Sequence, residues 1–173
     1  MIRIALFQPE IAGNVGSIIR SCACFDCELH IIEPCGFPFD LQRIKKSAMD
    51  YFEKARIVRY HSFAGFVAKQ FPQKLKSFEA KTEQNHNSSD QAEIISTKPA
   101  KRLILATTKG SKDALEFQFQ SDDLVIFGQE SSGVPKEVAE ICDEKIFIAM
   151  QNQARSLNLA VSCGIVMALA QKR

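Results

Sequence analysis

The chain has 173 residues, 46% hydrophobic and 24% charged, which is room for one domain with a real core and too apolar for a disordered chain. Its 22 Lys plus Arg against 20 Asp plus Glu leave a net charge of +2, so any nucleic-acid contact must come from a local basic patch. The longest apolar stretch, Leu157–Ala170, is broken by Asn158, Ser162 and Gly164 and falls short of the roughly 18 to 20 residues a membrane span needs. No signal-peptide-like apolar region follows Met1, so a cytoplasmic protein is expected.

Ile2–Phe7 reads as a buried strand ending in Gln8-Pro9-Glu10. A helix is predicted from about Val15 to Phe25, with Val15, Ile18, Ile19 and Cys22 forming one core-facing stripe and Asn14 placed as its N-cap. Cys22, Cys24 and Cys27 suggest a metal site, but on a helix Cys22 and Cys24 point about 160° apart and cannot share one ion. These cysteines read instead as small buried hydrophobes, and no metal is expected. Leu29–Ile32 is a second strand, followed by helices at Leu41–Met49 and Ser62–Gln70 with a strand at Arg56–Tyr60 between them.

The polar stretch Lys74–Lys101 reads as a surface loop or insertion. Beyond it, Leu103–Thr107, Leu124–Phe127 and Ile146–Met150 are short apolar runs suited to strands buried on both faces. A helix at about Pro135–Cys142 joins the last two, with Pro135 in its first turn. A final helix at about Leu157–Gln171 is apolar nearly all round, with Ser156 at its N-cap position. Strand and helix alternate, so the expected fold is a single α/β domain over residues 1–173 with a mainly parallel sheet and helices on both faces.

Three segments follow strands and could carry chemistry. Pro9–Arg20 opens a helix at a strand's carboxyl end, where open α/β sheets place their ligands. Arg20 lies off the core stripe, so it reads as a solvated side chain or as a phosphate or ribose contact. Phe127–Pro135 has glycines at both ends of a tight loop; Glu130 there is either an exposed turn residue or a carboxylate that orients a partner Arg or Asn. Ile148–Leu159 joins a strand to the apolar helix, and Arg155, Asn158 and Ser162 put one polar stripe on that rod, which requires partners.

These segments, in this order, resemble the three motifs of the SPOUT class of methyltransferases, in its SpoU/TrmH branch. Asn14 to Arg20 is similar to the first, Gly128–Gly133 to the second, and Ser156-Leu157-Asn158-Leu159 to the third. Phe7–Ile11, Leu29–Pro34 with Gly36-Phe37, Asp50-Tyr51 and Thr107–Gly110 resemble the minimal TrmL-type enzymes that modify the tRNA wobble ribose. The likeness covers nearly everything except about Lys74–Lys101. It implies a C-terminal deep trefoil knot, S-adenosylmethionine as cofactor, a homodimer whose sites borrow from the partner, and methylation of a 2′-hydroxyl of cytidine or uridine 34 in the tRNA anticodon loop.

By matching positions, the resemblance places the cofactor at Ala106, Gly128, Ile148 and Ser156, with Leu157, Met150 and Glu130 beside it. Arg20 matches the family's motif arginine, with Asn14 and Asn158 holding geometry. A guanidinium with a pKa above 12 makes an awkward base, so Arg20 is expected to orient the ribose or phosphate; whether it also takes the proton stays open. Arg43, Lys45, Lys46 and Arg155 are candidate RNA contacts. One departure is Ile148-Ala149-Met150, where the family usually has Ile-Pro-Met. The rival readings are a 2′-O-methyltransferase of another tRNA position or of ribosomal RNA, and a non-catalytic RNA-binding module.

Overall fold

The computed structural model describes residues 2–38, 44, 48–82, 98–152 and 154–171. Seven parallel strands form one sheet: β1 (Arg3–Phe7), β2 (Glu28–Ile32), β3 (Arg56–Tyr60), β4 (Arg102–Ala106), β5 (Lys112–Asp113), β6 (Asp123–Phe127) and β7 (Glu144–Phe147), in the order β3-β2-β1-β6-β4-β7-β5. The chain builds outward from β1 to β3, crosses to β4 and β5, then returns to insert β6 and β7. The strand order therefore reverses beside β1 and β6, and such a switch point opens a crevice at the strands' carboxyl ends.

Side chains alternate across the strands, so each strand feeds two cores. On one face Ile4, Leu6, Leu29, Ile31, Ile104 and Val125 pack against helix α1 (Ala12–Cys24) and the closing helix, α5 (Leu159–Ala170). On the other, Ala5, Phe7, Ile32, Val58, Leu105 and Ile126 meet α2 (Phe63–Gln70), α3 (Leu75–Thr82) and α4 (Lys136–Glu140). The expected α/β architecture with helices on both faces is the observed one.

Several local expectations are corrected. Helix α1 starts at Ala12, with Ile11 in the extended N-cap position and making no side-chain cap, so Asn14 lies inside the helix. Asn158, not Ser156, caps α5: its side chain accepts from Ala160 N at 2.8 Å and Val161 N at 3.3 Å. Pro135 precedes α4 as its N-cap residue, with ψ 157°, and the helix ends at Glu140. The loop reading from Lys74 fails over Leu75–Thr82, which is helical and sends Phe78 into the core beside Phe63. Strand β7 runs over Glu144–Phe147 rather than Ile146–Met150, in register with β4 and with the unforeseen two-residue β5. Most of the predicted helix at Leu41–Met49 lies outside the described residues.

Cys22 and Cys27 are buried as expected, but Cys24 is exposed on α1. Burial pushes the Cys22 thiol well above the usual range and that of Cys27 up to about 11, which suits them as hydrophobes and not as nucleophiles. Arg3 sits almost wholly buried at the start of β1 and donates to Gln70 Oε1 at 2.9 Å and the Lys98 carbonyl at 2.6 Å. Gln70 in turn donates to Tyr60 Oη, which lies 3.0 Å from His30 Nδ1. This chain of polar groups fastens α2 and the segment leading into β4 to the sheet.

Candidate functional site

A cleft of about 780 Å3 lies at the carboxyl edge of the sheet, lined by the segments that follow β4, β6 and β7 and by Ile11 and Asn14 from the start of α1. Its size falls within the roughly 300 to 1,000 Å3 of small-molecule sites. Apolar wall comes from Leu105, Phe127, Ile146, Ile148 and Val166, and polar rim from Thr107, Thr108, Gln129, Ser131 and Ser162.

The loop after β6 closes tightly on itself. Gln129 and Gly133 exchange backbone hydrogen bonds of 2.8 and 3.0 Å, and Gly133 takes φ +72°, a conformation costly for any side chain. Gly128 faces that closure: a Cβ there would sit 2.3 Å from the Gly133 carbonyl carbon, so only glycine fits. The glycines at both ends of Gly128–Gly133 are thereby explained by backbone approach, as the sequence pattern suggested.

Side chains from three distant stretches join here into one directed relay. The N-terminal amides of α5 donate to Asn158 Oδ1, and Asn158 Nδ2 donates to Asn14 Oδ1 at 2.9 Å. Asn14 Nδ2 then donates to Glu130 Oε1 at 3.0 Å, and Glu130 Oε2 accepts from Glu10 N at 2.8 Å. Glu130 is thus the carboxylate orienting a partner Asn, and Asn14 has both ends of its amide engaged. Hydrogen bonds with one charged partner are about twice as strong as neutral ones, so this geometry is well held. Glu10 completes the joint by accepting from Ser131 N at 2.8 Å and Ser131 Oγ at 2.7 Å. The Ser131 hydroxyl chiefly, and its backbone amide next, hold the Glu10 carboxyl below the usual carboxylate range.

All of Ala106, Gly128, Glu130, Ile148, Met150, Ser156 and Leu157, the residues expected at the cofactor, line this one cleft, as do Asn14, Asn158 and Arg155. Arg20 does not line it. Two turns along α1 from Asn14, it is exposed, with its guanidinium 5.1 Å from the Tyr51 ring centroid. Arg43, Lys45 and Lys46 lie outside the described residues. Sequence reasoning missed Thr107, Thr108 and Lys109 as cleft walls, and Glu10 as a structural partner. The run Thr107-Thr108-Lys109-Gly110 carried a signal in its glycine, where a Cβ would meet the Ile146 carbonyl carbon at 2.4 Å.

Comparison with known proteins now bears on this geometry. The model of the SpoU rRNA Methylase family matches residues 1–95 and 84–168. A tRNA (cytidine(34)-2′-O)-methyltransferase of Ancylobacter novellus is 36% identical over 99% of this chain and 92% of its own length. A solved structure described as giving structural insights into the 2-OH methylation of C/U34 on tRNA superposes with a TM-score of 0.76 at 29% identity, covering 98% of this chain and 93% of that one. The SpoU methyltransferase AviRb of Streptomyces viridochromogenes, in complex with the cofactor AdoMet, shares the fold with a TM-score of 0.72 at 22% identity over 98% of this chain and 56% of its own. An all-parallel sheet with a site at its switch point, matched nearly end to end by sequence and by fold, makes the chain a member of the SpoU methylase family.

Proposed function

We propose that the chain is an S-adenosylmethionine-dependent 2′-O-methyltransferase acting on the ribose of cytidine or uridine at the tRNA wobble position, 34. The observation that carries this reading is the gathering of all the motif residues expected at the cofactor in one cleft of fitting size. The names of relatives matching both chains nearly end to end support the substrate.

In this reading Leu105, Ala106, Phe127, Ile148 and Leu157, together with the backbone of the loops after β6 and β7, would hold the cofactor. When bound it supplies an electrophilic methyl group on a sulfonium. The chain's own work is to align the ribose hydroxyl with that methyl, exclude water and lower the hydroxyl's pKa. Arg20 would do the last by donating to the ribose or its phosphate. Arg155, on the cleft's rim, is a second contact for the RNA backbone.

Arg20 does not line the cleft of its own chain, and the reading therefore includes a homodimer in which it acts on the partner's cleft. Val161, Ile165 and Ala168, spaced along one side of α5, present apolar surface away from the buried side, with Val161 50% and nearby Ile11 50% exposed. In this reading the subunits pair through this side, and Arg20 of one subunit serves the partner's cleft. A cytoplasmic location belongs to the same reading, since that is where tRNA is modified.

The test is methylation of bulk tRNA with labelled S-adenosylmethionine, followed by mapping of the modified nucleotide. The expected mark is a 2′-O-methyl group at position 34. A mark on another tRNA ribose or on ribosomal RNA selects the sister activity, and failure to bind S-adenosylmethionine with or without tRNA sinks the enzyme reading. Mixing Arg20→Ala protein with a cleft variant should restore part of the activity if the dimer shares its sites.

A further inference from the structure

Glu10 is not among the residues lining the cleft, yet it contacts both the loop after β6, at Glu130 and Ser131, and the loop after β2, at Gly36. Its carboxylate takes two hydrogen bonds from Ser131, one from the backbone and one from the hydroxyl, and its own amide donates to Glu130. The exchange is reciprocal: the loop after β1 gives an N–H to the acid of the β6 loop, and the β6 loop gives an N–H to the acid of the β1 loop. Behind Glu10 stands the loop after β2. Gly36 N donates to the Pro9 carbonyl at 2.9 Å, and a Cβ on Gly36 would lie 2.9 Å from Glu10 Cα, against backbone that cannot swing aside.

We propose that Glu10 is a positioning residue for the cofactor: it latches the Gly128–Gly133 loop at the height at which Glu130 can hold Asn14, and through it Asn158, in the relay. This rests on the reading of the cleft as the S-adenosylmethionine site. The loop Glu10 holds lines that cleft from Gly128 to Val134, so releasing the latch frees a cofactor wall without removing any atom that touches the cofactor. The latch is also seated from behind, because Gly36 fixes where the Glu10 backbone can be. The β2 loop, none of whose residues lines the cleft, therefore acts on the cofactor through Glu10.

The test is calorimetry of S-adenosylmethionine and S-adenosylhomocysteine on the full chain, well below its melting temperature. Glu10→Ala should raise both dissociation constants by about tenfold, the equivalent of losing charge-assisted bonds to one loop, with tRNA affinity within about twofold of the parent. Glu10→Gln, which keeps one acceptor oxygen for Ser131, should fall between. Ser131→Ala should weaken binding in the parent and add nothing in the Glu10→Ala background. Gly36→Ala should weaken cofactor binding as well, although it alters no residue of the cleft. A merely structural role would lower the melting temperature and leave these constants unchanged, and that result overturns the proposal. So does a Ser131→Ala effect that adds fully to that of Glu10→Ala. Should Glu10→Ala fail to fold, the milder Glu10→Gln and Gly36→Ala variants decide by the same readout, because neither alters a residue lining the cleft. Absence of cofactor binding by the parent protein would instead remove the functional reading.

Discussion

Among the described residues, one chain of polar side chains is sealed in the interior and another borders an opening. Arg3, Gln70, Tyr60 and His30 form the first, sealed between β1–β3 and α2. Asn158, Asn14 and Glu130 form the second, at the carboxyl edge of β1 and β6 beside the cleft. Both join elements far apart in sequence, and both satisfy the rule that buried polar groups be paired. Polarity in the interior therefore does not mark a site. A site is marked where such a chain fixes loops around space, as the second does, whereas the first fixes secondary structure against secondary structure.

The sharpest way to break this contrast is to remove a residue expected to act on substrate. Arg20→Ala should cut methyl transfer by at least about a hundredfold, the scale of losing one preorganised donor, and leave cofactor affinity within about twofold. A large loss of cofactor binding would show that Arg20 belongs to the cofactor site.

Arg3→Met tests the sealed chain. It removes the Arg3 hydrogen bonds to Gln70 Oε1 and to the carbonyls of Lys98, Pro99 and Asp122, and should cost about 3 kcal/mol in urea unfolding. Methylation at temperatures well below melting should be unchanged. If activity falls as much as stability, the two polar chains are one functional unit and the contrast fails.

Asn158→Ala probes the open chain. It deletes the cap of α5, worth about 1 kcal/mol, and frees one end of Asn14. Cofactor binding should weaken by roughly three- to tenfold, the equivalent of one hydrogen bond. An unchanged dissociation constant, measured by calorimetry, would reduce Asn158 to a helix cap.

The smallest effect concerns pH. Burial holds the His30 pKa below its ordinary 6.5, against the opposing pull of Glu28, whose Oε1 lies 2.8 Å from Nε2; Arg3 adds to the lowering and Tyr60 faces the other nitrogen. The folded state therefore binds the His30 proton more weakly than the unfolded state does. Its contribution to stability is fully present above pH 6.5 and is lost as pH falls through that value toward the folded pKa. Urea unfolding between pH 7.5 and 5.5 should show stability rising with pH, and His30→Gln should flatten that slope. An identical slope in the variant would assign it elsewhere.

Much of the scaffold could be read from local pattern. Ile4, Leu6, Leu29 and Ile31 alternate as doubly buried strands must, and Val15, Ile18, Ile19 and Cys22 repeat at helical spacing, because both signals depend only on neighbours in the chain. The N-caps were misread for the opposite reason. Asn14 and Ser156 are good capping residues by local preference, but Asn14 found a better partner in Glu130, 116 positions away. Short, charged Lys112-Asp113 gave no strand pattern, since only pairing with β7 makes it one.

The candidate site was legible as motifs and opaque as geometry. The glycines of Gly128–Gly133 and the apolar helix after Asn158 announced themselves, because each answers a backbone or burial demand that the residue type alone can meet. Sequence by itself thus determined the parallel α/β layering, the three motif loops and the family they belong to. Tertiary structure alone decided that Asn158, Asn14 and Glu130 touch in that order, that Glu10 latches the β6 loop, and that Arg20 stands clear of its own cleft. Hydrogen bonds across more than a hundred residues depend on which strands the sheet places side by side, and that order is set by burial of whole strands rather than by any residue near the site.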